Sequence, residues 1–241
     1  MAEQTIRAPL ASGSGVRARF QALAATRGYD AVVRIVFICW IVFLAVPSAN
    51  GVFVRVRVDP GSWDGALLAE LLARGATLLF FVLAAWLVVI RIRPVGKARG
   101  LQPRLAALAG SFLLLSVALF PRHDLSIGLN LLSAGLLLLG HALAVYVLGR
   151  LGRSFSIMAE ARRLVTDGPY ALVRHPLYVA EEIAAIGLFI QHASPSTALL
   201  FIAHLASQLQ RMRHEEQILR ATFPDYEAYA ARTPRLIPGV Y

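Results

Sequence analysis

LSIGLNLLSAGLLLLGHALAVYVLG, Leu125 to Gly149, carries no formal charge. It exceeds the roughly 20 residues of helix that cross a hydrocarbon core about 30 Å thick. Gly128, Ser133, Gly135 and Gly140 within it are small enough to let a neighbouring helix approach closely. Further apolar blocks lie on either side of this one. Toward the N-terminus they are Leu105 to Phe120, Ala66 to Ile92, and Ala31 to Pro47 with Arg34 near its end. Toward the C-terminus, Leu177 to Gln191 and Thr197 to Gln210 are parted by His192-Ala-Ser-Pro-Ser196, a segment suited to closing a helical hairpin. The sequence predicts an all-α, polytopic helical membrane protein with about six transmembrane helices and a cytosolic C-terminal region.

Composition agrees. The 241 residues are 57% hydrophobic and only 16% charged, with a mean hydropathy of +0.62, outside the range of ordinary soluble domains. The net charge of +10 would suggest nucleic acid in a soluble protein. Here the cations lie between apolar blocks, with no aromatic–basic stripe, so they read as topology and exclude a nucleic-acid partner. They gather in the tail (Arg7, Arg17, Arg19, Arg27), the 91–104 loop, the 150–176 segment and the C-terminal tail, whereas Arg55, Arg57 and Arg122 alone fall in the two opposite loops. By the positive-inside rule both termini are cytoplasmic, as expected of an integral protein of a bacterial inner membrane. Cys39 is the only cysteine and no HExxH-type spacing occurs, so no metal site is expected.

Three regions follow: a cytoplasmic tail over 1–28, three transmembrane helices over 29–124, and a second half over 125–241. The tail has no apolar core with a cleavage site and does not read as a signal peptide. Asn50 to Gly65 reads as a polar loop, and Glu70 and Arg74, four apart, as a pair on one helix face. His141 and His204 read as hydrogen-bond partners between helices, and Phe223, Tyr226 and Tyr229 as packing.

The unusual residues fall on the basic side: Gly168-Pro169-Tyr170, Arg174-His175-Pro176-x-Tyr178, and Arg211-x-Arg-x-Glu215-Glu216. A chain that enters the membrane at Pro176 and leaves it near Gln210 brings Arg174, His175 and Tyr178 beside Arg211 and Glu215. On a continuous helix Arg211 and Glu215 share a face and offer a guanidinium and a carboxylate to a zwitterion.

LGRLGRSFSI at 148–157, DGPYALVRHPLY at 167–178, the Glu-Glu pair followed by Phe223-x-x-Tyr226-x-x-Tyr229, and PRLIP at 234–238 together resemble the isoprenylcysteine carboxyl methyltransferase family and its phospholipid and thiol methyltransferase relatives. The resemblance covers roughly 125–241. It implies S-adenosylmethionine as cofactor, bound on the cytosolic side, and a lipophilic or small membrane-partitioning methyl acceptor (carboxylate, thiol or amine) arriving from the lipid. It further implies that Gly168, Pro169, Tyr170, Arg174, His175, Pro176, Tyr178, Glu215 and Glu216 form the cofactor site, and that Arg211 and Glu215 serve catalysis. Glu181 and Glu182 depart from the prenylated-protein enzymes, which are apolar or aromatic there. A nicotinamide-dependent membrane reductase of the sterol-reductase type and a non-catalytic membrane scaffold are the rival readings.

Overall fold

The computed structural model describes the backbone of residues 65–238 throughout and, before them, single positions between 31 and 57. The 1–28 tail and much of the expected first span lie outside the described residues. Within the expected 50–65 loop, Asn50, Gly51, Phe53, Val54 and Arg57 are helical, so helix persists beyond the boundary read from polarity.

Gly65–Ile90 forms α1, Gln102–Phe112 α2, and Ile127–Leu151 α3. Two described helical stretches, Leu67–Ile90 and Ile127–Ser154, are long and apolar enough to cross a membrane. Their outward faces carry stripes at helical spacing, Leu68, Leu72, Leu79, Val82, Trp86 and Val89 on α1, and Leu129, Leu132, Leu139, Leu143 and Tyr146 on α3. Such continuous exposed apolar surface suits lipid better than water. The third expected span is less regular: α2 gives way to a 3₁₀ segment over Leu113–Leu119.

Pro169–Leu172 is the short α4, Pro176–Gln191 α5, Pro195–Thr222 α6 and Tyr226–Arg232 α7. The hairpin turn closes as its prolines suggest. Ser194 caps α6 by accepting from Thr197 N, and the Thr197 hydroxyl receives the Ser194 N–H in return. The purely helical expectation misses one feature. Gly96–Lys97 (β1) pairs antiparallel with Glu160–Ala161 (β2), because the polar stretches after α1 and α3 meet with their backbone groups unpaired.

α3 is the central post, with α1 on one side and α5 on the other. Gly140 admits α5: an added Cβ would sit 2.5 Å from Ala184 N and 2.8 Å from Ala180 O. Gly187 on α5 meets α3 in the same way, 2.9 Å from Ser133 O. Gly128 and Gly135 face open space. The core joins Ala84, Leu87 and Val88 of α1 to Ala144, Val147 and Leu148 of α3 and to Leu177 and Ala180 of α5. The Glu70–Arg74 pair forms at 2.7 Å, and His141 Nδ1 lies 3.2 Å from the Thr77 hydroxyl of α1.

Backbone bonds sort the connections between the two ends of the bundle. Ile92, Val95 and Ala98 donate to Arg153, Ala161 and Ala159, and Arg174 donates to Pro234, so the polar segments 91–101, 152–175 and 223–238 share one end. His123 donates to Gln191 at the other.

Candidate functional site

At the polar end, Pro176 begins α5 and leaves His175 outside helical geometry just before it. Arg174 N and His175 N donate to Pro234 O and Arg235 O at 2.8 and 3.1 Å, so this link is zipped to the C-terminal strip. α6 runs unbroken past the expected exit at Gln210 and carries Arg211, Glu215 and Glu216 to the link. Adjacent residues on a helix point about 100° apart, so Glu215 and Glu216 meet different surroundings.

Glu216 is 1% exposed. Its Oε1 accepts from Arg174 Nε at 3.0 Å and Arg235 Nε at 2.9 Å and lies 3.1 Å from His175 Nε2, while Oε2 accepts from Arg235 Nη2 at 2.7 Å. Arg174 Nη1 also donates to the carbonyls of Ala230 and Thr233. Burial alone would raise the Glu216 carboxyl, but hydrogen bonds from His175 and Arg235, with the Arg174 charge, hold it well below the usual carboxylate range. Glu216 thus staples α6 to the start of α5 and to the C-terminal strip.

Glu215 faces a cleft of about 110 Å³. The Tyr178 hydroxyl donates to its Oε1 at 2.6 Å, Arg211 Nε lies 3.3 Å from the same oxygen, and His175 Nδ1 is 4.0 Å from Oε2. The Tyr178 ring stands edge-on to His175 at 5.3 Å and lies beneath the Arg211 guanidinium at 4.8 Å. Arg211 is 3% exposed, and its Nε has no well-aligned hydrogen-bond acceptor.

Tyr170, Arg174, His175, Tyr178, Arg211 and Glu215 all line this cleft. Of the other sequence candidates, Glu216 lies behind His175. Gly168 sits at φ +60°, a conformation that side-chain-bearing residues avoid, while Pro169 and Pro176 open α4 and α5. These three shape the wall rather than face the cleft. Tyr226 and Tyr229, read as packing, are buried and also line it. Tyr229 donates to Tyr170 O at 2.7 Å, and burial, opposed by the Arg174 charge and aided by Glu216, pushes its hydroxyl up to about 12, so it remains a donor.

The opposite wall, with Glu160, Arg162 and Arg163, was missed. Arg162 pairs with Glu160 and donates to Ile92 O. The alternation of acid and base in Ala-Glu-Ala-Arg-Arg is the one sequence sign of it, and its meaning depends on a strand pairing with residues far upstream.

A second cavity, about 1210 Å³, opens among α1, α2, α3, α5 and α6. Phe155 and Arg211 line both spaces, so the Arg211 side chain stands between the polar cleft and the apolar chamber. Glu181 also faces the chamber.

Residues 133–221 match the model of the isoprenylcysteine carboxyl methyltransferase (ICMT) family. This segment is ICMT-like. It holds the cleft residues carried by α4, α5 and α6, while Tyr226 and Tyr229 of α7 and the C-terminal strip that zips to Arg174 follow it. The chain is 36% identical over 96 residues to the cobalt-zinc-cadmium resistance protein CzcN of Cupriavidus metallidurans, covering 39% of this chain and 40% of that protein. It is 34% identical over 96 residues to the nickel-cobalt-cadmium resistance protein NccN of Alcaligenes xylosoxydans xylosoxydans, covering 39% and 41%. It is 39% identical over 111 residues to the protein-S-isoprenylcysteine O-methyltransferase of Schizosaccharomyces pombe, covering 43% and 47%. The chain thus spans under half the length of these three relatives.

The ICMT-like cleft carries the chemistry that a sulfonium-bearing amino acid needs. Arg211 has an unsatisfied donor and Glu215 a carboxylate, side by side, and the rings of Tyr170, Tyr178 and Tyr226 offer flat surfaces for a base. Among the described residues no group of His, Cys, Asp and Glu is arranged to hold a metal.

Proposed function

We propose that the chain is an integral membrane methyltransferase that uses S-adenosylmethionine and acts on a lipophilic or small membrane-partitioning acceptor. The observation that carries this reading is the position of Arg211 between a polar cleft fit for an amino-acid head group and an apolar chamber among the helices. The ICMT-like segment and the similarity to the fission-yeast methyltransferase support it. We extend it to a six-span topology with the cleft on the cytoplasmic side of a bacterial inner membrane, supported by the clustering of cations at that end.

When bound, the cofactor supplies an activated methyl group. The protein's own contribution is alignment and dryness. Glu215 would hold an ammonium and Arg211 a carboxylate. Tyr178 keeps both in register through its hydroxyl and ring. Tyr170 and Tyr226 would pack a base, and His175 bridges the Glu215 and Glu216 carboxylates. Gly168, Pro169, Pro176, Arg174 and Glu216 hold the frame. A carboxylate or thiolate acceptor needs no base, whereas an ammonium must first lose a proton.

Isothermal titration of purified full-length protein with S-adenosylmethionine and with a phosphorylated nicotinamide dinucleotide tests this reading. Binding of the first alone is expected, together with methyl-labelled product in membranes given the labelled cofactor. Binding of the dinucleotide alone would favour a reductase, and neither binding nor labelled product would favour a scaffold.

A further inference from the structure

The seam between α5 and α6 carries polar groups that the cleft does not use. On α6, His204, Gln208, Arg211 and Glu215 follow one another at steps of four, three and four residues. They therefore share one face over about 16 Å of helix. Glu181 and Glu182 face them from α5, one turn beyond Tyr178. Gln208 Nε2 donates to Glu181 Oε2 at 3.0 Å, and His204 Nε2 lies 3.0 Å from Glu182 Oε1.

These pairs leave atoms over. Glu182 Oε2, His204 Nδ1 and Gln208 Oε1 are buried without a hydrogen-bond partner, although His204 is only 4% exposed and Gln208 only 2%. Unsatisfied groups in an apolar setting are costly and mark places where a ligand supplies the missing bonds. His204 lines the chamber with Glu181 and Arg211, and Gly110 of the same wall lies against Gln208 Oε1, which is 2.6 Å from where an added Cβ would sit.

The charge balance selects the ligand. Along the stripe, Glu181, Glu182 and Glu215 face one permanent cation, Arg211, so a carboxylate or thiolate head would be repelled. The Glu181 carboxylate, which faces the chamber, calls for a head rich in N–H donors. We propose that this stripe seats the head group of the methyl acceptor and that the head is an amine, its alkyl tail lying in the chamber. This rests on the methyltransferase reading above. The ammonium gives a proton to Glu181. The freed nitrogen lone pair then forms a bond to the methyl carbon as the sulfur–carbon bond breaks, its electron pair staying on sulfur. The products are an N-methylammonium and a neutral thioether.

The test uses the full chain in lipid nanodiscs, with empty nanodiscs as the partition control and no cofactor present. Dodecylamine, dodecanoate, dodecanethiol and dodecyltrimethylammonium are compared by displacement of a fluorescent amphiphile. Dodecylamine is expected to bind about tenfold or more tighter than the other three, the quaternary amine failing for want of N–H donors. Glu181→Gln and Glu182→Gln are expected to weaken dodecylamine by about tenfold while S-adenosylmethionine still titrates into the cleft. Equal or tighter binding of dodecanoate or dodecanethiol overturns the proposal, as does unchanged dodecylamine binding in both variants. If the variants fail to fold, the wild-type ranking decides. An intact amine ranking in a protein that binds no S-adenosylmethionine supports the amine seat and removes the methyltransferase reading. Labelled N-methyldodecylamine, formed when the cofactor is added, supports both.

Discussion

α5 presents two unlike seams. Toward α3 it is dry and tight: Gly140 meets the backbone at Ala180 and Ala184, Gly187 meets Ser133, and Ser133 Oγ donates to Gly187 O at 2.7 Å. Toward α6 it is polar and open, with Tyr178, Glu181 and Glu182 set against Arg211, Glu215, Gln208 and His204. One helix is thus fixed by shape on one side and left available for chemistry on the other. Close packing makes the first seam intolerant of added volume. The second is sensitive to charge and hydrogen bonding, since each polar group there was removed from water in anticipation of a partner.

Substitutions can break this contrast. The largest effect is expected from Glu216→Gln, which leaves Arg174, Arg235 and His175 around a neutral amide and should cost about 3–5 kcal/mol, read from chemical unfolding in mild detergent. The pH dependence has a definite sign. Because the folded carboxyl lies below its ordinary value of 4.5, its contribution is complete above about pH 4.5 and is lost as pH falls toward the lower folded value. The wild type should lose thermal midpoint on acidification below that point more steeply than Glu216→Gln.

On the dry seam, Gly140→Val forces atoms against the α5 backbone and should cost about 1–3 kcal/mol, with the cofactor affinity of the folded fraction unchanged. Glu215→Gln should do the reverse, leaving the unfolding midpoint near wild type while titration shows cofactor affinity lowered by about 1–3 kcal/mol. The smallest effect is expected from Ser133→Ala, about 1.2 kcal/mol for its two hydrogen bonds, one donated to Gly187 O and one accepted from Gln191 Nε2, at about 0.6 kcal/mol each. A large loss of stability in Ser133→Ala would show that the dry seam is held by polar bonds after all.

Much of this architecture is legible from apolar block length. The Leu125 block and the hairpin turn at Pro195 need only hydropathy and proline geometry, and the meeting of His175 with Glu215 follows from a hairpin that returns to the side it left. The Arg211–Glu215 pair follows from helical periodicity. Periodicity could not separate Glu215 from Glu216, because which neighbour faces the cleft depends on where Arg235 returns. Nor could it show that Gly140 is a contact and Gly135 is not, since both are small residues in one apolar run. The Glu160–Arg162 wall rests on strands of two residues each, too short for any alternation to register. Helix beyond Asn50 was hidden by polar residues that propensity assigns to loops.

The backbone zipper between 174–175 and 234–235 has a consequence for biogenesis. The bundle of α1, α3 and α5 contains its own core and is complete once Gln191 has been synthesised. The cleft is not: its floor is stitched by carbonyls that emerge from the ribosome some forty residues later. Packing of the bundle therefore precedes assembly of the cleft, and a chain stalled or clipped between Thr222 and Pro234 would be a packed but unfinished molecule.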